Sequence, residues 1–320
     1  MSGPFRSLLA NDLERFLEFK RALGHSYRRA VFTLRSFDRF VHERARPRVP
    51  PAFAELVPAW LAQRRGRKAV SIATDLAPVR QFFLFRRRTD PGGFVPGRDY
   101  APQSTESHFV PYVFALDEIR TLLKATRTLR DPPIRGLTIR TLLLVLYCTG
   151  LRFGEALRLH LADVDLRRRV FTVRESKGKT RLVPFREDLA RKLRTYLRKR
   201  DRIGASLLAE TLFVQPSGRA CGAGPSSVIV RDLLRRVGLK PVRGRVGPRP
   251  YDLRATFAVH RLLRWHRSGA DLAARLPWLS AYMGHVDLLG TEAYLTATPE
   301  LMAIASRRLR ARLQTAQSVS

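Results

Sequence analysis

Residues 137–159 read LTIRTLLLVLYCTGLRFGEALRL. The apolar run Leu137–Cys148 has the length and composition of a buried helix, and the Thr149–Gly150 pair interrupts it. A second helix is expected over Phe153–Leu159, which leaves Arg152 close to a helix N-terminus. Backbone N–H groups and the helix dipole favour an anion at such a position.

Downstream, Arg169–Arg174 and Thr180–Pro184 alternate β-branched and apolar residues around Ser176-Lys177-Gly178-Lys179. That pattern predicts two strands paired as a hairpin, with Asp163 and Asp165 in the turn before it. Further helices are expected at Asp188–Lys199, Ser226–Val237, Leu253–Arg267 and Leu272–Met283, and one at Leu116–Thr126 precedes the quoted stretch. The end of the chain repeats Leu301, Ala305, Leu309 and Leu313 with Met302, one apolar stripe of a short helix begun by Thr298–Pro299.

Upstream, Leu9, Leu13, Phe16, Leu17 and Leu23 recur at helical spacing before Gly24, and Ser26 can cap a second helix containing Val31, Leu34, Phe37, Phe40 and Val41. Third and fourth helices are expected over Ala54–Arg64 and Ser71–Arg86. From Asp90 to Pro111 the composition turns to Pro, Gly, Ser and polar residues, the signature of a linker. The reading is therefore mainly α with a small antiparallel β-sheet, in two domains. An N-terminal helical domain takes residues 1–89, a linker 90–111, a second domain 112–300, and a helix and tail 301–320.

Sixty Lys and Arg against 27 Asp and Glu give a formal charge of +33, of which residues 1–107 contribute +10 and the remainder +23. Such a surplus calls for a polyanion, nucleic acid is the natural partner, and both parts are basic enough to touch its phosphates. With 45% hydrophobic residues in periodic positions, the chain is not a disordered polycation. Cys148 and Cys221 are the only cysteines, too few for a disulfide framework or a zinc cluster, so a reducing compartment fits. The first residues lack a signal-peptide pattern and no apolar run reaches the ~18 residues of a membrane span. A cytoplasmic, bacterial location is expected, with no membrane partner.

Thr149-Gly150-Leu151-Arg152-Phe153-Gly154-Glu155-Ala156-Leu157 resembles the first conserved box of the tyrosine recombinase, or phage integrase, family. Tyr251-Asp252-Leu253-Arg254-Ala255-Thr256-Phe257 resembles the family's box containing the second catalytic arginine, and Met283-Gly284-His285 its Leu-Gly-His. Lys177 lies on the hairpin turn where the family has a lysine, and Tyr294, nine residues beyond His285, falls at the place of the nucleophile. The resemblance spans roughly 137–300, and more weakly the helical first segment; the stretch 276–299 also resembles integrases of bacterial mobile elements. It implies a C-shaped clamp, with a helical core-binding domain on one DNA face and the catalytic domain on the other. It further implies a synaptic tetramer of four protomers on two sites, partner recombinases or DNA-bending factors in some systems, and a final helix that docks on a neighbouring protomer or on its own domain.

The implied roles agree with what the chemistry asks for. A tyrosyl oxygen can hold the phosphoester energy covalently, two guanidinium groups suit the charge on the equatorial oxygens, and Lys177 is the general acid for the leaving 5′ oxygen. His285 would bond the phosphate or assist Tyr294. No carboxylate cluster accompanies these residues, which disfavours two-metal hydrolysis; no cofactor is expected. Two positions depart from the family: Tyr251 stands where histidine is usual, and Ala255 replaces the histidine after the second arginine. Tyr251 is as readily a packing residue as a phosphate ligand. Taken singly, each of these residues is ordinary, an arginine at a helix start being usually a solvated charge; their order is what makes the pattern specific. Glu155 and Asp252 are expected to hold neighbouring arginines or cap helices. A type IB topoisomerase and a catalytically impaired DNA-binding accessory protein are the rival readings.

Overall fold

The computed structural model describes residues 5–25, 27–44, 52–63, 66–102, 111–129, 133–176, 179–202, 209–244, 246–285, 287–292 and 294–295. Lys177, Ser26 and the tail helix expected at 301–320 lie outside them. The chain divides into two compact units, Met1–His108 and Phe109–Ser320.

The first unit consists of helices α1 (Ala10–Ala22), α2 (Arg28–Arg44), α3 (Phe53–Ala62) and α4 (Ala69–Arg86). Each turns its periodic apolar side chains inward: Leu13, Phe16 and Leu17 from α1, Leu34, Phe37 and Val41 from α2, Trp60 from α3, Val79, Phe82 and Phe83 from α4. The core is strongly aromatic. Phe37 meets Trp60 edge-on at 5.2 Å and Phe16 meets Phe82 at 5.8 Å, the arrangement that ring quadrupoles prefer. Buried Asp38 on α2 accepts from the backbone N–H of Arg6 and Ser7 at 2.7 and 3.1 Å and so ties down the chain before α1. The Pro- and Gly-rich stretch expected as linker begins as part of this unit. Phe94, Val95, Tyr100 and Ala101 pack against the aromatic core, because four apolar side chains among the turn residues have a surface to cover.

The second unit contains α5 (Leu116–Ala125), α6 (Pro133–Thr149), α7 (Phe153–Arg158), strands β1 (Val164–Asp165), β2 (Val170–Ser176) and β3 (Lys179–Pro184), then α8 (Glu187–Asp201), α9 (Ala223–Arg236), α10 (Asp252–Arg267), α11 (Leu272–Met283) and a short α12 (Leu289–Glu292). Apolar on most sides, α6 lies at the centre with α8 and α10 packed on it. Its Leu142, Leu143, Val145 and Leu146 are buried, each worth roughly 1.5–3 kcal/mol of transfer free energy. The sheet is antiparallel in the order β1-β2-β3. It differs from the expected hairpin at one end: Arg169 is a left-handed turn residue (φ 58°) and not a strand residue, because the chain reverses there to pair Val164 with Phe171. Among the described residues no helix is long and apolar enough to cross a membrane.

Candidate active site

Helix α11 organises the site through its C-terminal end. Asp271 caps its start by accepting from the Ala273 N–H at 2.8 Å, and Gly284 stops it in the left-handed conformation (φ 68°). The last carbonyls of a helix have no intrahelical partner and carry the negative end of its dipole. Here three consecutive ones each receive a guanidinium. The carbonyl of Tyr282 accepts from Arg181 Nε at 3.1 Å, that of Met283 from Arg254 Nη2 at 2.8 Å, and that of Gly284 from Arg152 Nη2 at 2.9 Å. Residues from β3, α10 and the start of α7 are thus gathered on one helix end.

Arg152 is the N-cap of α7, and its own backbone N–H donates to Glu155 Oε2 at 2.9 Å while Nη1 donates to Oε1 at 2.7 Å. Glu155 also accepts from Arg181, Nη1 to Oε1 at 3.3 Å and Nη2 to Oε2 at 2.8 Å, so one buried carboxylate joins two of the three arginines. Arg254 sits in the first turn of α10, is buried, and bonds the Gly150 carbonyl through Nη1 at 2.7 Å as well. Burial pushes its pKa down to about 10, the charge of Arg152 adds to this, and Tyr294 acts in the opposite sense; the group stays charged at neutral pH. Gly150 reaches this position with φ 62°, and a Cβ on it would run into the Phe257 ring. No other residue fits both the backbone and the space.

His285 follows Gly284 directly, its backbone N–H bonded to Ser280 O at 3.1 Å and its ring Nδ1 2.6 Å from the Oγ1 of buried Thr291. Its ring centre lies 6.0 Å from that of Tyr294, whose backbone N–H is held by Thr291 O at 3.0 Å. Half-buried, Tyr294 packs on the cluster that contains Phe257 and Met283. Of the six candidates, four converge: Arg152, Arg254, His285 and Tyr294 surround the end of α11. Tyr251 stands just outside them, 55% exposed with its ring 5.4 Å from that of Phe153, next to Arg152. Lys177 lies outside the described residues, between the paired Ser176 and Lys179.

Two participants escape a reading of the sequence. Arg181 lies opposite Val173, and with Val183 two residues on it occupies the core-facing side of β3, while Leu182 between them is exposed. A cation at an inward strand position was the available signal. Thr291 gave none, since its value is the hydroxyl it brings to His285. The carboxylates behave as ties: Glu155 as described, Asp252 on Arg249 at 3.0 Å, and Asp163, buried rather than a plain turn residue, on Arg174 at 2.6 Å. Among the described residues no group of three or more His, Cys, Asp or Glu is placed to hold a metal ion.

The protein y4rB of Sinorhizobium fredii (strain NBRC 101917 / NGR234), named an integrase/recombinase, is 36% identical over 315 residues, covering 96% of this chain and 98% of the relative. XerH site-specific recombinase, in a post-cleavage complex with palindromic difH substrate, shares the fold with a TM-score of 0.64 at 16% identity over 87% of this chain and 78% of XerH. Lambda integrase, as a tetramer bound to a Holliday junction, does so with a TM-score of 0.61 at 17% identity over 89% and 76%. The model of the phage integrase family matches residues 113–300, which hold every residue gathered at the end of α11. With that match and the y4rB identity together, the chain belongs to the phage integrase family of tyrosine recombinases.

Proposed function

We propose that this chain is a site-specific recombinase that cleaves and rejoins DNA strands through a 3′-phosphotyrosine on Tyr294. The Tyr294 oxygen, its phenolic proton passing to His285 or to water, attacks the scissile phosphorus, the bond to the 5′ oxygen breaks, and that oxygen takes a proton, for which Lys177 is the donor that the family resemblance supplies. A partner strand's 5′-hydroxyl then attacks the phosphotyrosine and returns the phenol, so one phosphoester is exchanged for another without an external energy source. Arg152 and Arg254 neutralise the non-bridging oxygens, their planes fixed in advance by the carbonyls of Gly284, Met283 and Gly150. His285, oriented by Thr291, bonds the phosphate or assists Tyr294. Tyr251 lines the edge as packing for Phe153 or as a further hydrogen-bond donor.

The observation that carries this reading is the convergence of Arg152, Arg254, His285 and Tyr294 on one helix end. The +33 charge supports a double-stranded DNA partner, with the helical domain 1–89 adding contacts beyond the catalytic domain 112–300. XerH in a post-cleavage complex with difH and lambda integrase as a tetramer on a junction support strand cleavage within a synaptic tetramer. The work is done on bacterial DNA in the cytoplasm. Because guanidinium groups supply the charge, cleavage proceeds without a divalent metal.

Covalent trapping tests the reading. Duplexes spanning the junctions of the DNA that carries this gene, nicked so that the cleaved strand escapes, are incubated with protein in excess chelator. The wild type is expected to form a DNA adduct that survives denaturation, and Tyr294→Phe to bind without forming one. An adduct from Tyr294→Phe, or a strict need for added metal, would overturn the assignment.

A further inference from the structure

The charge arrangement around Glu155 goes beyond the residues that would touch the phosphate. Its side chain is 1% exposed, that of Arg181 13% and that of Arg152 27%, so the three groups are layered from the interior outward. Were Arg152 the sole partner of this buried carboxylate, the two would form a neutral pair, and a phosphate would compete with Glu155 for the same guanidinium. Arg181 changes the sum. By donating to both oxygens of Glu155 it leaves the triad with one net positive charge, and Arg152 is its outermost member. Its remaining bond, Nε to the Tyr282 carbonyl, fixes it against α11.

We propose that Arg181 is a positioning residue for strand cleavage: it serves as the counter-ion of Glu155, so that the charge of Arg152 is available to the scissile phosphate. The proposal rests on the strand-cleavage reading above. It makes a specific demand that a packing role does not. Loss of Arg181 alone leaves Glu155 to bind Arg152, whereas loss of both charges together restores the net charge at the site.

The test is the single-turnover rate of adduct formation on the nicked duplex, with folding followed by circular dichroism. Arg181→Met is expected to slow cleavage roughly tenfold to a hundredfold, the usual scale for residues that orient the groups in contact with the reacting centre. Glu155→Gln combined with Arg181→Met is expected to recover most of that loss, and Arg181→Lys, which keeps the charge without the fork, to stay near the wild type. A double variant as slow as Arg181→Met, or Arg181→Met at the wild-type rate, would overturn the proposal. If Arg181→Met does not fold, Arg181→Lys decides: a rate near wild type supports the counter-ion role, and a severe loss in a folded protein overturns it. The wild type measured alongside separates the two readings, since absence of its adduct overturns strand cleavage itself and the counter-ion role with it.

Discussion

Two corners of the second unit bury an arginine on backbone carbonyls, and only one of them has the makings of a catalytic site. Arg200, near the end of α8 and 1% exposed, donates through Nη2 to the carbonyls of Ala209 and Thr211 at 2.6 and 2.9 Å. Those bonds pin a returning segment whose next residue, Leu212, is core. Arg254 makes bonds of the same kind and length to Gly150 and Met283. What differs is the company: Arg254 has Arg152, Arg181 and Tyr294 around it, while Arg200 has Asp201 beside it at 3.8 Å. A buried guanidinium on carbonyls is therefore a structural device in itself. Convergence of several on one helix end, beside a histidine and a tyrosine, is what turns it toward phosphate chemistry.

Exchanging each arginine for alanine sharpens the contrast. Arg254→Ala is expected to lower the cleavage rate by about 10²–10³, the scale for removing a preorganised donor to a developing oxyanion, with DNA affinity much less altered. Arg200→Ala is expected to cost about 2–4 kcal/mol of stability, since two buried carbonyls lose their donor, and to leave the rate per folded molecule unchanged. Chemical denaturation beside trapping kinetics checks both. Equal losses of rate from the two variants would break the distinction.

A smaller effect is expected from a pair of glycines with similar backbone angles. Gly284 (φ 68°) and Gly238 (φ 75°) both lie in the left-handed region, so alanine should cost each about 1–2 kcal/mol. A Cβ on Gly238 meets nothing within 4 Å, whereas on Gly284 it would lie 2.8 Å from the Arg181 guanidinium. Gly284→Ala alone should therefore also slow cleavage, by roughly tenfold or more through displacement of the charged groups. Similar rates for the two variants would show that the Arg181 contact is dispensable. The smallest change expected is Tyr251→His: an exposed ring is replaced, stability should move by no more than about 0.5 kcal/mol, and the rate should fall far less than for Arg254→Ala. A loss as large as that of Arg254→Ala would make Tyr251 a direct phosphate ligand rather than a neighbour of Phe153.

What the sequence reveals follows the range of the interactions. The span Leu272–Met283 of α11 is legible from local signals, an N-capping Asp271 and a terminating Gly284, and the structure has those limits. The joint at Thr149–Gly150 and the apolar α6 before it are local in the same sense. Arg181 reads as one strand residue among several, because its partners Glu155 and Tyr282 stand 26 and 101 residues away and only the fold brings them in. The two-residue β1 is too short for any alternation to show. In the stretch after Asp90, turn composition outweighs Phe94 and Tyr100, whose apolar surface finds the first core only in three dimensions. The order of the motifs thus points to the candidate residues, and the geometry adds what holds them.

The most direct measurement of the central claim is where DNA becomes attached. Protein trapped on the nicked duplex is digested with protease and nuclease, and the peptide that retains a nucleotide is sequenced by mass spectrometry. A single modified residue is expected, Tyr294, joined to the 3′ phosphate of the cleaved strand. Attachment at another residue, or linkage to a 5′ phosphate, would contradict it.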